Sequence, residues 1–368
     1  MRVALVHDWL NTKVGGAEKV LQALAALYPE APIYTLIYDE AKFGVTFPKA
    51  RVRTSYLQRA PDWLKRHPRY LLPLIPAAVE SFDFSEFDLV ISSSAAYVKN
   101  IITKPRTLHI SYCHTPMRFV WDYWPQYLQE QRVGPLRAFA IRQMVSHLRI
   151  WDYAGTSRVD LFISNSKTTT GRIHKYYQRD SQIIYPPAAI PDLRAVKKED
   201  YYVTLAMLTP YKKLDLAIEA FNISGQRLLV IGDGPDRERL QHLAEPNVEF
   251  KGYVDETVKQ KLLAHARGLI FPNEEDFGIA PVEAMALGTP VIAYDKGGVT
   301  ETVIEGKTGV FFKHQSVAAI NQAIEKAEQI DFRPATLHHQ AARFGPEAFA
   351  SNITKFVNKA YDHHVKTN

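Results

Sequence analysis

Short apolar runs with the character of buried strands alternate along this chain with segments of helical periodicity. The first run, at 3–7, is followed by apolar residues spaced as on one helix face from Ala17 to Leu27. Further strand-like runs occur at 33–36, 89–92, 107–113, 161–164, 202–207, 228–231 and 269–271. Strands that alternate with helices predict an α/β fold built on a parallel sheet.

The alternation is interrupted by a proline-rich and then charged stretch at 185–198. Such a stretch is typical of a domain boundary. The chain has 368 residues, of which 46% are hydrophobic, so it can fill two cores. We therefore predict two Rossmann-like domains, at 1–190 and 198–345, followed by an amphipathic helix at about 346–366.

The composition of the chain limits the kinds of binding partner and the cellular compartment that we expect. The net charge of +6 permits anionic partners, but the sequence has no nucleic-acid-binding motif. The single cysteine, Cys113, fits a reducing compartment, and no Cys/His spacing typical of a metal site occurs. A strand pattern begins directly after Met1, and no apolar run is long enough to span a bilayer. We therefore expect a cytoplasmic protein without a signal peptide.

The segment at 274–288, E-E-D-F-G-I-A-P-V-E-A-M-A-L-G, carries two spaced carboxylates, Glu275 and Glu283. Turn and helix signals accompany them: a tight turn at Gly278, a helix start at Pro281 and a helix end at Gly288. Glu275 then lies on a loop and Glu283 in the first helical turn, where N–H groups can hold an anion. A helix-dipole partner and a solvated acidic loop explain the residues singly, but the whole string predicts a site for a phosphorylated ligand with hydroxyl groups.

Two further positions could meet an anion. Gly15-Gly16 lies between the first strand and the first helix, where doubly wound folds hold phosphate, although an ordinary turn also explains it. It is not a G-x-G-x-x-G fingerprint, which disfavours a dinucleotide-dependent dehydrogenase. Lys212 lies near the start of a predicted helix, where a cation is unfavourable unless an anion binds beside it. A solvated lysine is the alternative for Lys212.

His114 follows the strand at 107–113, and open α/β sheets bind ligands at the carboxyl ends of their strands. Thr115-Pro116 forces a turn directly after it. Aromatic residues able to line a pocket come next, at Phe119, Trp121, Tyr123 and Trp124. A structural role is the usual alternative for a single histidine, but these neighbours favour a ligand-binding role.

Two segments, 51–80 and 132–151, combine Lys and Arg with apolar and aromatic residues. In the second, Arg137, Arg142 and Arg149 interrupt an apolar helical pattern, as in basic amphipathic helices. One interpretation is a surface that rests on an anionic membrane, at the inner face of the plasma membrane. A core-facing helix with a solvated basic edge explains the pattern equally well, and the sequence favours neither.

The string E-D-F-G-I-A-P-V-E-A-M-A-L-G resembles the E-x7-E motif of the retaining GT-B glycosyltransferases of the family-4 type. Pieces of similarity recur along most of the chain. The resemblance implies a GT-B fold, in which an N-terminal acceptor-binding and a C-terminal nucleotide-sugar-binding Rossmann-like domain face a central cleft. It also implies that the last helix packs back on the first domain.

The resemblance implies roles for residues of the motif. Glu275 would contact hydroxyls of the donor sugar, and Glu283 would hold the ribose of the nucleotide. The backbone between them would face the sugar and the diphosphate, at Phe277, Gly278, Ile279 and Ala280.

It also implies roles elsewhere in the chain. His114 would lie beside the donor sugar, and Lys212 would clamp the diphosphate. The first loop would face the diphosphate and the acceptor at Gly15 and Gly16, and the base would bind at Gly252, Tyr253 and Val254. A surface aromatic is the alternative for Tyr253. One departure is Met207, which stands where the family usually has an arginine. This puts part of the phosphate clamp in doubt, and Lys213 or an arginine of the N-terminal domain could compensate.

The function that the resemblance implies is retaining transfer of a sugar from a nucleotide-diphosphate sugar. The strings H-T-P-M-R-F-V-W-D and P-Y-K-K-L-D-L-A-I are similar to those of bacterial GDP-mannose-dependent mannosyltransferases of surface polysaccharide assembly. We expect GDP-mannose as a substrate rather than a cofactor, a polyprenyl-diphosphate-linked oligosaccharide as acceptor, and no metal. Glu275 would orient the sugar, His114 would support the oxocarbenium-like centre, and Lys212 would neutralise the leaving diphosphate. A UDP-sugar donor, a sugar-nucleotide epimerase and a non-catalytic sugar-nucleotide-binding paralogue are the alternatives.

Overall fold

The structure is a computed structural model that describes residues 1–11, 15–65, 67, 70–122, 124, 134–194 and 196–367. Tyr123 of the expected aromatic group lies outside the described residues, as do positions 66, 68 and 69 and positions 132 and 133 of the two basic segments. The chain divides into two compact units, Met1–Pro186 with Phe349–Asn368 and Pro187–Ala348. The division after Pro186 falls inside the proline-rich stretch at 185–198.

The first unit is built on a seven-stranded parallel sheet in the order β3-β2-β1-β4-β5-β6-β7. Its strands are β1 (Val3–His7), β2 (Ile33–Thr35), β3 (Val52–Thr54), β4 (Leu89–Ser94), β5 (Leu108–Cys113), β6 (Leu161–Ser164) and β7 (Ser181–Ile183). Strands β4 and β5 are buried along their whole length, as expected where both faces of a parallel sheet are covered.

Helices cover both faces of this sheet. They are α1 (Gly16–Leu27), α2 (Glu40–Phe43), α3 (Asp62–Lys65), α4 (Ile75–Glu80), α5 (Arg118–Trp121), α6 (Pro135–Ala154) and α7 (Lys167–Tyr177). Leu21 and Leu24 of α1 pack on one face of the sheet, beside Leu5. Val79 of α4 and Leu148 of α6 belong to a second apolar cluster with strand residues of alternate register.

The second unit is built on a six-stranded parallel sheet in the order β10-β9-β8-β11-β12-β13. Its strands are β8 (Tyr202–Leu205), β9 (Leu228–Ile231), β10 (Val248–Gly252), β11 (Leu269–Phe271), β12 (Val291–Tyr294) and β13 (Gly309–Phe312). The helices are α8 (Leu214–Ser224), α9 (Arg237–Leu243), α10 (Glu256–His265), α11 (Ile279–Ala286), α12 (Val299–Thr302), α13 (Val317–Glu328) and α14 (Pro334–Ala342).

The last helix, α15 (Pro346–Thr367), follows directly. Its buried residues, Phe349, Ile353 and Val357, recur at helical spacing. All three belong to the apolar cluster of the first unit that contains Leu5 and Leu24. The chain therefore completes the core of its first unit with its final helix.

The predicted fold class, two Rossmann-like α/β domains with parallel sheets, is confirmed. Strands β3, β7 and β13 carried no recognised signal in the sequence. All three lie at sheet edges, and β3 and β7 span only three residues each and are partly exposed. Short edge strands bury too little apolar surface to show the periodicity on which the prediction depends.

One detail of the 274–288 segment differs from the prediction. Helix α11 begins at Ile279 after an N-cap at Gly278, so Pro281 is its third residue rather than its first. Proline is tolerated there because the first N–H groups of a helix have no intrahelical acceptor in any case. Glu283 consequently lies in the second helical turn, and its predicted place in the first turn was wrong.

Strand order reverses at one point in each sheet, between β1 and β4 and between β8 and β11. Open α/β sheets bind ligands outside the carboxyl ends of the strands at such a switch point. In the first unit this place is lined by the residues that follow β1 and end β4. In the second it is lined by the segments that follow β8 and β11.

Candidate functional site

Lys212 and Glu275 meet at the switch point of the second sheet. Lys212 ends a short 3-10 turn, Pro210–Lys212, between β8 and α8, and Glu275 follows β11. The Lys212 ammonium contacts Glu275 Oε1, and Asn273 Nδ2 donates to the same oxygen at 2.9 Å. Asn273 is buried, whereas a quarter of the Glu275 side chain is exposed. One carboxylate is thus held by two donors and stays partly exposed to solvent.

The backbone of Glu275 is held by the Gly297-Gly298 turn. Gly298 N–H donates to the Glu275 carbonyl at 2.9 Å. Gly297 has φ of 81°, and a β-carbon built there would lie 2.3 Å from the same carbonyl oxygen. Only glycine permits both that conformation and that approach. The turn therefore has an architectural role: it fixes the loop on which Glu275 lies.

Gly278 makes the sharp entry into α11. Its φ is 85°, and a β-carbon built there would lie 3.2 Å from Phe271 Cζ. Phe277, just before it, is buried and packs edge-on against Phe344, with ring centroids 5.7 Å apart. The helix that follows starts with Ile279 and Ala280, beside the loop of Glu275. Its first N–H groups add a positive end of the helix dipole to this region.

Glu283 forms the second lysine–glutamate pair. It is buried on α11, and Lys259 Nζ on α10 lies 2.9 Å from Glu283 Oε2. Burial disfavours the charged ammonium, but Glu283 and Glu256 outweigh it and raise the pKa of Lys259 above its ordinary value. Glu283 therefore shares its carboxylate with a fixed cation.

The predicted base-binding turn lies at the carboxyl end of β10, beside β9 in the sheet. Gly252 is buried, Val254 is half-buried, and Tyr253 is 65% exposed. Met207, which replaces the expected arginine after β8, is 58% exposed. The position therefore carries no positive charge.

At the switch point of the first sheet, Asp8 follows β1 and is buried. Its two carboxylate oxygens accept N–H groups from the loop after β4, at 2.7 to 2.9 Å. The four donors are Ala95, Ala96, Tyr97 and Val98. Asp8 thus supplies the negative charge that this run of backbone dipoles needs, and it fixes the loop against β1.

His114 follows β5 and is held by its backbone. Its N–H donates to Ser94 O at 2.8 Å, and its carbonyl accepts from Asn165 Nδ2 at 2.9 Å. Its ring nitrogen Nε2 lies 2.8 Å from Ser93 Oγ. Burial and the neighbouring His7 lower the pKa of His114 to about 3. The imidazole is therefore neutral at physiological pH and can accept or donate a hydrogen bond, but it cannot act as a cation.

The Gly15-Gly16 pair starts α1, as predicted, with Gly15 as the N-cap. The Gly15 N–H donates to Glu18 Oε2 at 2.7 Å, so this group already has an acceptor within the helix start. Positions 12–14 of the same loop lie outside the described residues. For the predicted anion contact, the N–H groups that begin with Gly16 are the relevant donors of this helix.

The aromatic residues after His114 are engaged in packing. Trp121 stacks on Tyr176 with centroids 4.9 Å apart, and its Nε1 donates to buried Asp152 at 2.7 Å. The Arg149 guanidinium of α6 lies over the Trp121 ring, 5.5 Å from its centroid, and donates to the Val120 carbonyl at 2.6 Å. Trp121 and Arg149 therefore stabilise this part of the first unit.

The basic residues of helix α6 differ in their exposure to solvent. Arg137 and Arg142 are exposed, unlike Arg149. Large apolar side chains of the helix are exposed with them, at Leu136, Phe139, Ile150 and Tyr153. Within the described residues, no helix is long and apolar enough to cross a membrane.

Among the predicted site residues, the structure brings Lys212 to Glu275 and places the turn at 277–280 next to them. It leaves Gly252, Tyr253 and Val254 at a different strand end. Sequence analysis missed Asn273, Lys259, Ser93 and Glu18. Asn273 could have been noticed as a polar residue just after a strand, and Glu18 as a glutamate at the third position of a helix. Lys259 and Ser93 carry no local signal.

In the part of the chain that the structure describes, no group of three or more His, Cys, Asp or Glu side chains is arranged to hold a metal ion. The expectation that the protein needs no metal stays a prediction.

Comparisons with known proteins find similarity both to one segment and to nearly the whole chain. The family Glycosyl transferases group 1 matches residues 187–348. The alpha-1,3/1,6-mannosyltransferase ALG2 of Mus musculus is 24% identical, over 94% of this chain and 94% of its own length. The GDP-mannose-dependent alpha-(1-6)-phosphatidylinositol monomannoside mannosyltransferase of Mycolicibacterium smegmatis is 32% identical, over 36% of this chain and 42% of its own.

A solved structure extends the likeness to the fold. The crystal structure of Anabaena HepE in complex with UDP superposes with a TM-score of 0.71 at 17% identity, over 98% of this chain and 100% of that one. The resemblance inferred from the 274–288 segment is confirmed by these findings. The segment 187–348 is a glycosyl transferases group 1 domain, and the chain that carries it is a glycosyltransferase with the GT-B fold.

Proposed function

We propose that the protein transfers mannose from GDP-mannose, with retention of configuration, to a lipid-linked oligosaccharide in polysaccharide biosynthesis. The observation that carries the proposal is the contact of Lys212 with Glu275 at the switch point of the second sheet. A cation and a carboxylate that can accept hydrogen bonds from hydroxyl groups lie side by side there, next to a helix start. A nucleotide-diphosphate sugar needs these two partners at its diphosphate and at its sugar.

In the proposed reaction the bond between the sugar C1 and the β-phosphate oxygen breaks. The acceptor hydroxyl oxygen bonds to C1 on the same face, and its proton passes to the departing phosphate. Charge develops on the leaving diphosphate, so fixed positive groups accelerate the step. Lys212 and the N–H groups from Gly278 to Ala280 supply that charge.

The remaining residues divide between sugar and nucleotide. We assign the sugar hydroxyls to Glu275 and the ribose to Glu283, which Lys259 holds in place. We assign His114 to the sugar side as a neutral group, since its pKa of about 3 leaves the ring uncharged. Gly252, Tyr253 and Val254 take the base. Phe277 contributes backbone contacts only, because its ring is buried.

GDP-mannose is favoured over a UDP-sugar by the names of two relatives, one an alpha-mannosyltransferase and the other GDP-mannose-dependent. The latter acts on a phosphatidylinositol monomannoside, which supports a lipid-linked acceptor. A UDP-sugar donor is the second candidate, since HepE was crystallised with UDP.

A thermal-shift comparison tests the donor. GDP, UDP, ADP and NAD are compared with and without EDTA, because a ligand at a hundred times its Kd stabilises the native state by about 2.7 kcal/mol. We expect a rise in Tm with GDP that EDTA does not change. In a separate transfer assay, the mannose in the product should keep the anomeric configuration that it has in GDP-mannose. A rise in Tm with UDP alone would contradict GDP-mannose as the donor. No rise with any of the four nucleotides would contradict the proposed binding site.

Paired lysine variants locate the effect. Lys212→Met should abolish the GDP shift, because it removes the cation at the diphosphate. Lys213→Asn is the matched control: Lys213 has φ of 55°, which asparagine tolerates well, so the GDP shift should persist. Equal loss in both variants would show that the turn, rather than the Lys212 charge, is what matters.

We further propose that the first unit rests on an anionic membrane through α6 and the 51–80 segment. Exposed Leu136 and Phe139 lie beside exposed Arg137 on one helix, and Trp63 and Tyr70 are each more than half exposed in the other segment. Apolar residues that enter the interface and basic residues that meet anionic headgroups are the two contributions to such binding. The cytoplasmic face of the plasma membrane is the proposed location.

Flotation with vesicles tests this contact. Binding to vesicles that contain anionic lipid, absent with neutral vesicles, is expected. Leu136→Ser with Phe139→Ser should weaken it, while Ile223→Ser, which alters a 74% exposed residue in the second unit, should not. A wild-type protein that fails to float with anionic vesicles would overturn the proposal.

A further inference from the structure

Two donors of different kinds meet at one oxygen of the Glu275 carboxylate. The Lys212 ammonium and the Asn273 amide both donate to Glu275 Oε1, the amide at 2.9 Å. Lys212 carries its charge at the end of a flexible four-carbon stem, and 12% of its side chain is exposed. Asn273 is neutral and short, and only 1% of it is exposed. One donor can therefore move toward a ligand, while the other is confined to the interior.

The backbone on either side of Asn273 is anchored. Buried Pro272 accepts a hydrogen bond at its carbonyl from Gln315 Nε2 at 2.9 Å. The Glu275 carbonyl accepts from the Gly298 N–H at 2.9 Å. These two donors follow β13 and β12, which lie beside β11 in the sheet. Because this short loop is held at both ends, the Asn273 amide keeps its place beside the Glu275 side chain.

The chemistry of the partners fixes which end of the amide faces the carboxylate. An ionised carboxylate only accepts hydrogen bonds, whereas a side-chain amide has a donor end and an acceptor end. Nδ2 of Asn273 must therefore face Glu275 Oε1. A neutral donor at this place orients the carboxylate and leaves its negative charge unchanged, which a second lysine would not do.

A bound diphosphate competes with Glu275 for Lys212. Phosphate oxygens carry more negative charge than one carboxylate, so they attract the ammonium strongly. The hydrogen bond from Lys212 to Glu275 then weakens, at the stage when the sugar needs an oriented carboxylate. The hydrogen bond from Asn273 persists, because the buried amide lies out of reach of the diphosphate.

We propose that Asn273 is a positioning residue, which holds the Glu275 carboxylate toward the donor sugar while the diphosphate draws Lys212 away. The inference rests on the proposed function in one respect, that Glu275 serves the sugar and Lys212 the diphosphate. It adds that the orientation of Glu275 depends on a neutral amide as well as on the lysine.

Removing the amide should separate catalysis from nucleotide binding. Asn273→Ala deletes one hydrogen bond to a charged group, so kcat with GDP-mannose should fall about 10- to 100-fold. GDP has no sugar and still meets Lys212, so its affinity should stay within about threefold. Steady-state transfer and GDP titration measure the two quantities.

The variant Asn273→Asp keeps the shape of the side chain and makes the donor depend on pH. At pH 8 two carboxylates face each other and repel. At pH 5 the pair shares a proton, and an O–H donor takes the place of the amide N–H. We expect kcat of the variant, divided by kcat of the wild type at the same pH, to rise about tenfold from pH 8 to pH 5. Damage to the fold alone would not give this ratio.

Asn247→Asp is the matched control in the same unit. Asn247 is half-buried, and its Nδ2 donates to the carbonyls of Phe221 and Gln226 at 2.8 and 2.6 Å. The substitution removes hydrogen bonds to backbone and should lower Tm. Its kcat relative to the wild type should stay within about twofold and should not change with pH.

Thermal unfolding tests the contact without any donor. In Asn273→Asp, the native pair holds its proton more tightly than the unfolded chain does. The variant is therefore stabilised at low pH and loses that stability as the pH rises. Adding Glu275→Gln removes the facing charge, so the dependence of Tm on pH should become smaller. The same addition to Asn247→Asp should leave its dependence on pH unchanged.

Each measurement has a result that would overturn the proposal. A kcat of Asn273→Ala within twofold of the wild type, or a relative kcat of Asn273→Asp that does not change with pH, would overturn the positioning role. A pH dependence of Tm in Asn273→Asp that Glu275→Gln does not alter would overturn the contact itself. Failure of the proposed function would show separately, as a wild type that transfers no mannose, since the Tm comparison needs no donor.

Discussion

The two sheets end in different chemistry at their switch points. In the first unit, the polar side chains are buried and bonded to backbone or to one another: Asp8 holds a loop, and His114 is a neutral ring. In the second unit, they form pairs of opposite charge, Lys212 with Glu275 and Lys259 with Glu283. One place uses its polar side chains to fix geometry, and the other arranges paired charges that a ligand can share.

The difference follows from what each place must do in the proposed reaction. A leaving diphosphate needs positive groups that are already oriented, so lysines held by glutamates suit the second unit. A sugar C1 that becomes electron-poor needs a neutral or negative neighbour, and an ionised acid in a buried place would be costly. A histidine kept neutral by burial meets both requirements in the first unit.

The largest expected effect comes from removing the shared carboxylate. Glu275→Ala should lower kcat by at least about a thousandfold, since the sugar loses its orienting group, while GDP affinity stays within a few-fold because Lys212 remains. Steady-state transfer and GDP titration measure the two quantities. Glu274→Ala, which removes the adjacent carboxylate of the same loop, is the control and should keep most of the activity. Equal losses of kcat and GDP binding would make Glu275 a structural residue and remove the contrast between the two units.

The second effect concerns stability and belongs to the first unit. Asp8→Asn replaces one carboxylate oxygen by an amide nitrogen, so two of the four N–H groups it binds lose their acceptor. Buried donors without partners cost about 1–3 kcal/mol each, so we expect a loss of about 3 kcal/mol and a fall of about 8 °C in Tm.

Asp62→Asn is the matched control for that measurement. Its side chain is 82% exposed and pairs with Lys65 across one helical turn, so its loss should change stability by less than about 0.5 kcal/mol. If Asp8→Asn unfolded no more easily than Asp62→Asn, the Asp8 carboxylate would not be what holds the loop after β4.

The residues in these two predictions differ in whether the sequence alone could have identified them. The glycines at 278 and 297, the strands before them and Glu275 all carry local signals, because turns and strand ends constrain residue type. Ser93 carries none, and Asp8 shows only as a polar residue after a strand, because their partners are set by the register of β1 against β4. That register depends on packing of the whole sheet, and a residue such as Lys259 meets Glu283 only once two helices are packed.

Met207, which stands where the family usually has an arginine, also shows what the sequence alone can predict. The sequence identified the departure, and in the structure Met207 is exposed while Lys212 is in contact with Glu275. A clamp built from one lysine and helix N–H groups is weaker in charge than one with a guanidinium. The proposed enzyme therefore relies more on backbone donors than the family pattern implies.

The smallest expected effect tests whether buried neutral histidines are a property of the first sheet as a whole. Burial lowers the pKa of His109 on β5 to about 4, while its ring contacts Ser92 Oγ and the Arg158 carbonyl. An unfolded histidine titrates near about 6.5, so between these two values the unfolded state binds a proton that the native state does not. Stability must fall as the pH drops below about 6.5, with the loss complete near pH 4.

At pH 5.0 this one histidine should cost about 2 kcal/mol relative to pH 7.5. His109→Gln removes the titration, so the difference in unfolding free energy between the two pH values should shrink by about that amount, as urea titrations can measure. The variant is also expected to be less stable at pH 7.5, because the ring packs in the sheet, and only the change with pH is diagnostic. His67→Gln, at an exposed position, should leave the difference as in the wild type. An unchanged difference in His109→Gln would mean that the native ring takes up its proton before the protein unfolds. The first sheet would then hold a charged histidine, and the contrast between neutral rings in the first unit and charged pairs in the second would weaken.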